Sequence, residues 1–470
     1  MTGRFIPKKG VFEATLGCNL RCLHCGSSAG IPREDELTTA ECADLFAQLA
    51  ALGMEWLTIS GGEPMTRPDW AELIALCAKT GIRTGMITNA VALDLDAALL
   101  AKRNGLSGIG FSVDGLPPTH DRVRGRIGHF QRLMDAMDHC AEAHLPFSVV
   151  TTLNNDNLNE LDGLYDILVT KGAYAWQVQL GSDMGNMRHH PQLLVSPRRM
   201  PELEQRVARL IRRGALRVYP GDSLGYFGPL EKVLRTWTGG ACFGGCGAGI
   251  RNIGIESNGN VKGCLSILPG NNEEGDRWVE GNIRQTSLAE IWHRPGAFAY
   301  NREWTPASLS GACGDCRFAQ RCKGGCMGKR VSDGSEGENH YCSTRELALR
   351  ALEKRRTGVA AAAVVAGFAV AAGGGCDTVD DPDPRPQDSD TSDTASEVDT
   401  SDTSSDPVVM YGVPEYGIWE TDTFNVDEYG IMDTETMDVS LYAIIPDTDT
   451  TAVDVYGIPI YNMAPPDEEK

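Results

Sequence analysis

Apolar positions along the first 180 residues follow two alternating patterns. Short apolar runs at 11–16, 56–60, 84–88, 108–113, 147–152 and 175–180 read as strands. Between them, apolar residues recur at helical spacing near 39–52, 69–79, 94–103, 130–144 and 157–171. Thr38, followed three residues later by Glu41, supplies a capping-box start for the first helix. Six strands alternating with helices predict an α/β fold with a parallel sheet, open or partly closed into a barrel. In such a sheet, chemistry gathers at the C-terminal ends of the strands. One further helix is predicted at 197–213. From 240 to 350 the periodicity fades into a Gly- and Cys-rich stretch, a composition that needs staples such as metal clusters.

Length and charge add a second object to this picture. The chain has 470 residues, enough for two or more domains, and a net charge of -21. That charge is uneven: residues 377–470 carry 25 Asp and Glu against two Lys and Arg, while the first 376 residues carry 39 against 41. The nearly neutral part has no pull toward nucleic acid. The acidic part is rich in Asp, Thr, Ser and Pro and poor in large apolar residues, so it is expected to be disordered. The opening "MTGRFIPKKGVFEATLG" has no apolar run of the secretory kind, and no appended peptide-recognition domain is expected before Val11. A cytoplasmic chain with 15 cysteines uses them for metal or redox sites in preference to disulfides.

Just after the first strand, "CNLRCLHC" places Cys18, Cys22 and Cys25 in one loop. Three thiolates from a short loop suit an iron–sulfur cluster with one iron left open. A structural zinc site with His24 as fourth ligand is the competing reading. "SGGEP", Ser60 to Pro64, follows the second strand: backbone amides at Gly61 and Gly62 can approach a ligand closely, and Glu63 can accept from an ammonium. The plain alternative is a strand–loop turn. Thr88 and Asn89 end the third strand, and Ser112 and Asp114 the fourth. Arg124 lies in "HDRVRG", where a solvated loop charge is the bland reading. Gln177 and Gln179 on the last predicted strand could point into a barrel.

With this C-x3-C-x2-C loop after its first strand, the chain resembles the radical SAM superfamily. The resemblance implies that Cys18, Cys22 and Cys25 hold a 4Fe–4S cluster whose open iron chelates the amino and carboxylate groups of S-adenosylmethionine. Reductive cleavage then gives a 5′-deoxyadenosyl radical, chemistry that belongs to the cofactor. It makes Gly61, Gly62 and Glu63 candidates at the amino group, and Thr88, Asn89, Ser112 and Asp114 candidates near the ribose and carboxylate. Arg124 resembles the arginine that grips the carboxylate. A reductant such as flavodoxin or ferredoxin is the implied partner.

A second set of cysteines follows. Cys242, Cys246 and Cys264 span "CFGGCGAGIRNIGIESNGNVKGC", with twelve residues between Cys246 and Gly259 and four between Gly259 and Cys264. Cys313, Cys316, Cys322 and Cys326 follow with gaps of two, five and three, and Cys342 after fifteen more. Zinc ribbons fit the spacing alone. The order resembles the SPASM extension of peptide-modifying radical SAM enzymes. That resemblance, which covers residues 10–350, implies two auxiliary 4Fe–4S clusters. One would take Cys242, Cys246, Cys264 and Cys326, the other Cys313, Cys316, Cys322 and Cys342. Cys42, Cys77 and Cys140 fall on predicted helices as small core residues. Leu265 stands where sulfatase-maturing members have Asp, which disfavours formylglycine formation.

The acidic tail repeats itself. Tyr416, Tyr429, Tyr442 and Tyr456 recur at intervals of 13, 13 and 14, each opening Tyr-Gly-(Ile/Val) except that Ala443 replaces one Gly. Tyr411-Gly412-Val413-Pro414 is an additional copy. The repeats are too short and polar for a solenoid, and an inert acidic tail leaves the regular Tyr-Gly spacing unexplained. A substrate presented several times on a flexible segment explains it, and fusion would give a millimolar-range effective concentration. Before the tail, "KRRTGVAAAAVVAGFAVAAGGGC" resembles a lipoprotein signal with Cys376 as the lipidated residue, although Gly373 departs from the pattern. Its apolar part, 359–372, falls short of the ~20 residues of a membrane span but allows membrane contact.

The expected organisation is therefore a partial (β/α)6 TIM-like radical SAM barrel (1–195), a helical linker (196–239), a SPASM domain (240–350), a basic and apolar segment (354–376), an acidic linker (377–407) and a Tyr-Gly repeat tail (408–470). The expected function is modification of a peptide or lipoprotein substrate. Removal of a tyramine unit, as by radical SAM spliceases that cut Tyr-Gly, stands beside cross-linking and epimerisation. The rivals are a sulfatase-maturase-like enzyme, a membrane-tethered binding protein with structural clusters, and two neighbouring genes wrongly joined.

Overall fold

The computed structural model describes residues 5–221, 223–238, 240, 242–268 and 276–356. The apolar segment 359–372, Cys376 and the repeat tail lie outside these residues. Among the described residues, no helix is long and apolar enough to cross a membrane.

All six predicted strands form: β1 (Lys9–Thr15), β2 (Trp56–Gly61), β3 (Arg83–Thr88), β4 (Leu106–Ser112), β5 (Phe147–Leu153) and β6 (Ala175–Leu180). They pair in parallel and in chain order. Their mostly buried sequences, such as WLTISG and FSVVTTL, suit strands covered on both faces. The connecting helices are α1 (Thr39–Ala51), α2 (Trp70–Lys79), α3 (Leu95–Arg103), α4 (Pro117–Arg124), α5 (His129–Glu142), α6 (Leu161–Thr170) and α7 (Met200–Arg212). The inward stripe of α1, Cys42, Leu45, Phe46 and Leu49, packs on the sheet, with Phe46 edge-on to Phe12 at 5.8 Å. Cys77 on α2 and Cys140 on α5 are likewise fully buried.

The capping box forms: the Thr38 hydroxyl accepts from Glu41 N, and the Glu41 carboxylate accepts from Thr38 N. The same carboxylate takes Arg284 at 2.6 Å, which joins the barrel to the Cys-rich region. Hydrogen bonds from Arg284, then from Thr38, hold the Glu41 carboxyl down to about 2.

Four strands escaped the sequence reading. β7 (Arg217–Pro220) adds in parallel to β6, so the stretch expected as a helical linker contains a seventh strand, and β6 is not the last. At the opposite end β8 (Asn252–Ile255) pairs in parallel with β1, followed by antiparallel β9 (Asn260–Lys262) and β10 (Gly281–Asn282). The result is one ten-stranded sheet in the order β10-β9-β8-β1-β2-β3-β4-β5-β6-β7. Strands of two to four residues are too short to show alternation, and Pro220 fits β7 because an edge strand needs no N–H there. Around and beyond β9 and β10 the described residues form short helices and finish with the helix Ser343–Arg356, which the weak periodicity hid. Glu13 on β1, 6 % exposed, accepts from Arg33 and from the amide and hydroxyl of Ser257 and so ties β1 to the turn after β8.

Candidate active site

The Cys18–Cys25 loop leaves the C-terminal end of β1 and is fastened from several directions. Gly62 N donates to Thr15 O at 2.7 Å, and Glu63 N to Gly17 O at 2.8 Å. The amides of the Gly-Gly turn therefore hold the entry to the loop. This approach requires glycine: Gly61 has φ 137, and a Cβ there would lie 2.2 Å from Thr15 O. Leu23 N donates to Val123 O at 2.8 Å, beyond β4. From the connection after β6, Asn186 N donates to Cys25 O at 2.8 Å and Asn186 Nδ2 to Cys22 O at 3.0 Å. Gly185 presses onto the same turn at φ 53, where a Cβ would lie 2.3 Å from Gly26 O. Asn186 was not singled out from the sequence. Its signal was a Gly-Asn pair in a polar loop just past a strand's C-terminal end.

Each sulfur of the loop has a donor near it. Asn89 Nδ2 stands 3.9 Å from Cys18 Sγ, and Arg124 Nη1 3.7 Å from Cys22 Sγ. Cys25 Sγ accepts from Ala29 N at 3.4 Å and lies 3.5 Å from Ser27 Oγ. Burial pushes the Cys18 thiol up and the Cys22 thiol to about 11, the latter against the pull of Arg124. Thiols in this setting become thiolates only when a cationic group binds, and the surrounding donors then stabilise them. Among the described residues no three His, Cys, Asp or Glu groups are drawn together as a single-ion site. The fit to an iron–sulfur cluster rests on the donor set: three thiols on one clamped loop, each with a hydrogen-bond donor. An open groove of about 600 Å³ runs along the Cys18 side, lined by Asn19, Thr66, Arg67 and Asp69 among others.

Behind the loop lie two fully buried carboxylates. Glu63, 1 % exposed, accepts from Thr88 Oγ1 and Asn89 N, both at 2.7 Å, and from Met65 N at 3.1 Å. Burial raises its carboxyl despite these donors. Asp114 has no exposed surface; it accepts from Arg124 Nε at 2.6 Å, His24 Nε2 at 3.0 Å and Thr152 N at 2.7 Å. Burial would raise the Asp114 carboxyl, but Arg124 and His24 hold it well below the usual range. Arg124 is thus a buried ion-pair partner and not a solvated loop charge. Any effect of Asp114 on a bound cofactor runs through Arg124 and His24. Helix α4, polar and opened by Pro117, carries Arg124 to this position.

Ser112 closes β4, half-buried. Gln177 and Gln179 share one face of β6 and bond to each other at 3.0 Å.

A histidine pair links the ends of β4 and β3. Asp114 N donates to His120 Nδ1 at 3.0 Å, so His120 carries its proton on Nε2 and donates to His129 Nδ1 at 2.8 Å. His129 Nε2 in turn donates to Asn89 O at 2.8 Å. Burial lowers His120 to about 3 and His129 to about 4, so both rings are neutral near pH 7.

Four of the auxiliary cysteines gather, whereas Cys242 is held as a disulfide here and would need reduction before it could serve as a thiolate ligand. Cys322 is pushed up by burial and then by Cys342, Cys313 and Cys316, which places these four within electrostatic reach of one another. Asn339 N donates to Cys313 Sγ, Phe318 N to Cys316 Sγ and Ser266 N to Cys264 Sγ, each at 3.4 Å. Cys246 and Cys264 share a small core with Ala248, Ile267, Trp278 and Met327. Cys326 N donates to the Tyr226 hydroxyl at 3.3 Å, and the Tyr226 ring meets Phe243, the neighbour of Cys242, edge-on at 5.0 Å. Leu265 packs against Gly254 of β8.

Comparisons with known proteins bear on the family and the fold. The family model for the radical SAM superfamily matches residues 12–168, and the SPASM model, an iron–sulfur cluster-binding domain, matches 246–317. An AdoMet-dependent heme synthase of Methanosarcina barkeri is 29 % identical over 329 residues, covering 68 % of this chain and 90 % of its own. The mycofactocin maturase MftC of Mycobacterium ulcerans is 30 % identical over 338 residues, covering 69 % and 84 %. A PqqA peptide cyclase of Rhizobium meliloti is 29 % identical over 338 residues, covering 69 % and 83 %. In three dimensions the chain is similar to Streptococcus suis SuiB bound to S-adenosylmethionine, with a TM-score of 0.58 at 17 % identity over 72 % of this chain and 77 % of that one, a likeness of fold alone.

Proposed function

We propose that this chain, which belongs to the radical SAM superfamily, modifies a ribosomally made peptide, and that its target is the Tyr-Gly repeat of its own tail. Its cofactors are 4Fe–4S clusters and S-adenosylmethionine. When bound, they supply reductive cleavage of adenosylmethionine to a 5′-deoxyadenosyl radical. Cys18, Cys22 and Cys25 would hold the first cluster, with Asn89, Arg124 and Ala29 N donating to their sulfurs. Glu63 orients Thr88 and Asn89, and Asp114 orients Arg124 toward Cys22; Gly61, Gly62 and Ser112 border the same cofactor site. The two auxiliary clusters would take the cysteine sets Cys242, Cys246, Cys264, Cys326 and Cys313, Cys316, Cys322, Cys342. The electron would come from a flavodoxin or ferredoxin.

The observation that carries the peptide reading is the regular Tyr-Gly repeat within the same chain. A peptide cyclase and a maturase among the relatives agree with it. Tandem mass spectrometry of the tail after anaerobic reconstitution tests it, with and without adenosylmethionine and reductant. A mass change at Tyr411, Tyr416, Tyr429 or Tyr456 is expected. An unmodified tail alongside 5′-deoxyadenosine formation would place the substrate elsewhere. The heme-synthase relative favours a second reading, a porphyrin substrate, which the same assay separates by adding an iron porphyrin.

A further inference from the structure

Tyr300, in the short helix Ala299–Arg302, has a buried hydroxyl with no hydrogen-bond partner. Its ring sits against the small core of Ala248, Ile267, Trp278 and Met327, with Trp278 edge-on at 5.3 Å. Two observations locate the hydroxyl. A Cβ on Gly263 would fall 2.1 Å from it, so the hydroxyl reaches over the residue just before Cys264. After burial, the largest influences that push the phenol up are Cys246 and Cys264, followed by Glu280. The helix is also fixed to the Cys246 turn, because Asn301 Nδ2 donates to Cys246 O and Ala248 O, both at 2.8 Å. A buried hydroxyl left unpaired is costly, and the apolar core offers it no acceptor. Of the acceptors beside it, the Glu280 carboxylate already accepts from Phe298 N and pairs with Arg294, which leaves the sulfurs of Cys246 and Cys264.

We infer that Tyr300 donates its hydrogen bond to a sulfur of the iron–sulfur cluster held by Cys246 and Cys264, and thereby sets that cluster's reduction potential. The inference rests on the reading that these cysteines hold an auxiliary cluster. A donor to cluster sulfur stabilises the more negative, reduced form and raises the potential. Tyr300 is a tuning residue and takes no part in bond making.

The test uses the full chain with Cys18, Cys22 and Cys25 replaced by Ala, so that only auxiliary clusters remain, and follows a redox titration by electron paramagnetic resonance. Tyr300→Phe is expected to lower the midpoint potential of one auxiliary cluster and leave the other unchanged. Fluorotyrosine at position 300, a stronger donor, is expected to raise it. The second substitution keeps the side chain's volume and reads out even if Tyr300→Phe fails to assemble. Potentials unchanged by both substitutions would overturn the inference. Auxiliary iron and signal that survive Cys246→Ala and Cys264→Ala unchanged would instead overturn the cluster assignment, and the inference with it.

Discussion

The two cysteine-bearing regions are held in opposite ways. The Cys18–Cys25 loop is bolted to the ends of long parallel strands by backbone bonds, by Asn186 and by the buried Asp114–Arg124 pair. The region from 242 to 342 has strands of two to four residues and helices of four to six. Its cysteines from Cys246 on are only partly buried. The barrel therefore preorganises its cluster loop without help, whereas the Cys-rich region depends on what its cysteines bind. Losing the first cluster should remove activity and spare the fold. Losing an auxiliary cluster should loosen the fold locally.

The largest effect expected is on catalysis. Cys18→Ala should reduce 5′-deoxyadenosine formation to background while the chain keeps its circular dichroism spectrum and loses about one third of its iron. Collapse of the spectrum would contradict a preorganised loop. Next, Cys322→Ala should abolish amide-exchange protection across 311–342 while β1 to β6 keep theirs, as measured by hydrogen exchange. Equal loss in both regions would erase the contrast.

Asp114→Asn strands the Arg124 guanidinium in the interior and should cost about 3–5 kcal/mol in denaturant unfolding. The histidine pair gives the barrel a pH signature. Both folded values lie below the ordinary 6.5, so the unfolded chain binds more protons between that value and about 4 or 3. Stability is then fully present above pH 6.5 and falls as pH drops through that window, by at most about 1.4 kcal/mol per unit for each ring. Replacing His120 and His129 together by Asn should flatten the denaturant midpoint between pH 7.5 and 5.5. The smallest effect belongs to the joint between regions: Glu41→Gln loses the Arg284 pair and weakens the cap, for about 1 kcal/mol or less.

The same contrast explains what the sequence revealed. Buried parallel strands leave continuous apolar runs, so β1 to β6 and the helices between them other than the polar α4 were legible, and the motif residues fell at the strands' C-terminal ends. The Thr38–Glu41 cap was legible because its bonds are local. Arg284 and Asn186 were not, since their partners lie 243 and 164 residues away; the His120–His129 pair was not, since no periodicity marks its nine-residue spacing. Arg124 was singled out, but its burial against Asp114 was not foreseeable from a polar stretch such as PPTHDRVR. Where the fold consists of short pieces between cysteines, only the spacing of the cysteines carried information.

The central claim joins the cluster loop to the repeat tail. Its most direct test is a single turnover of the full-length chain, made fully deuterated at carbon, with unlabelled adenosylmethionine in ordinary water. The account predicts one deuterium in the 5′-deoxyadenosine and a mass change that maps to a Tyr-Gly repeat. Unlabelled 5′-deoxyadenosine with an unchanged tail would contradict it.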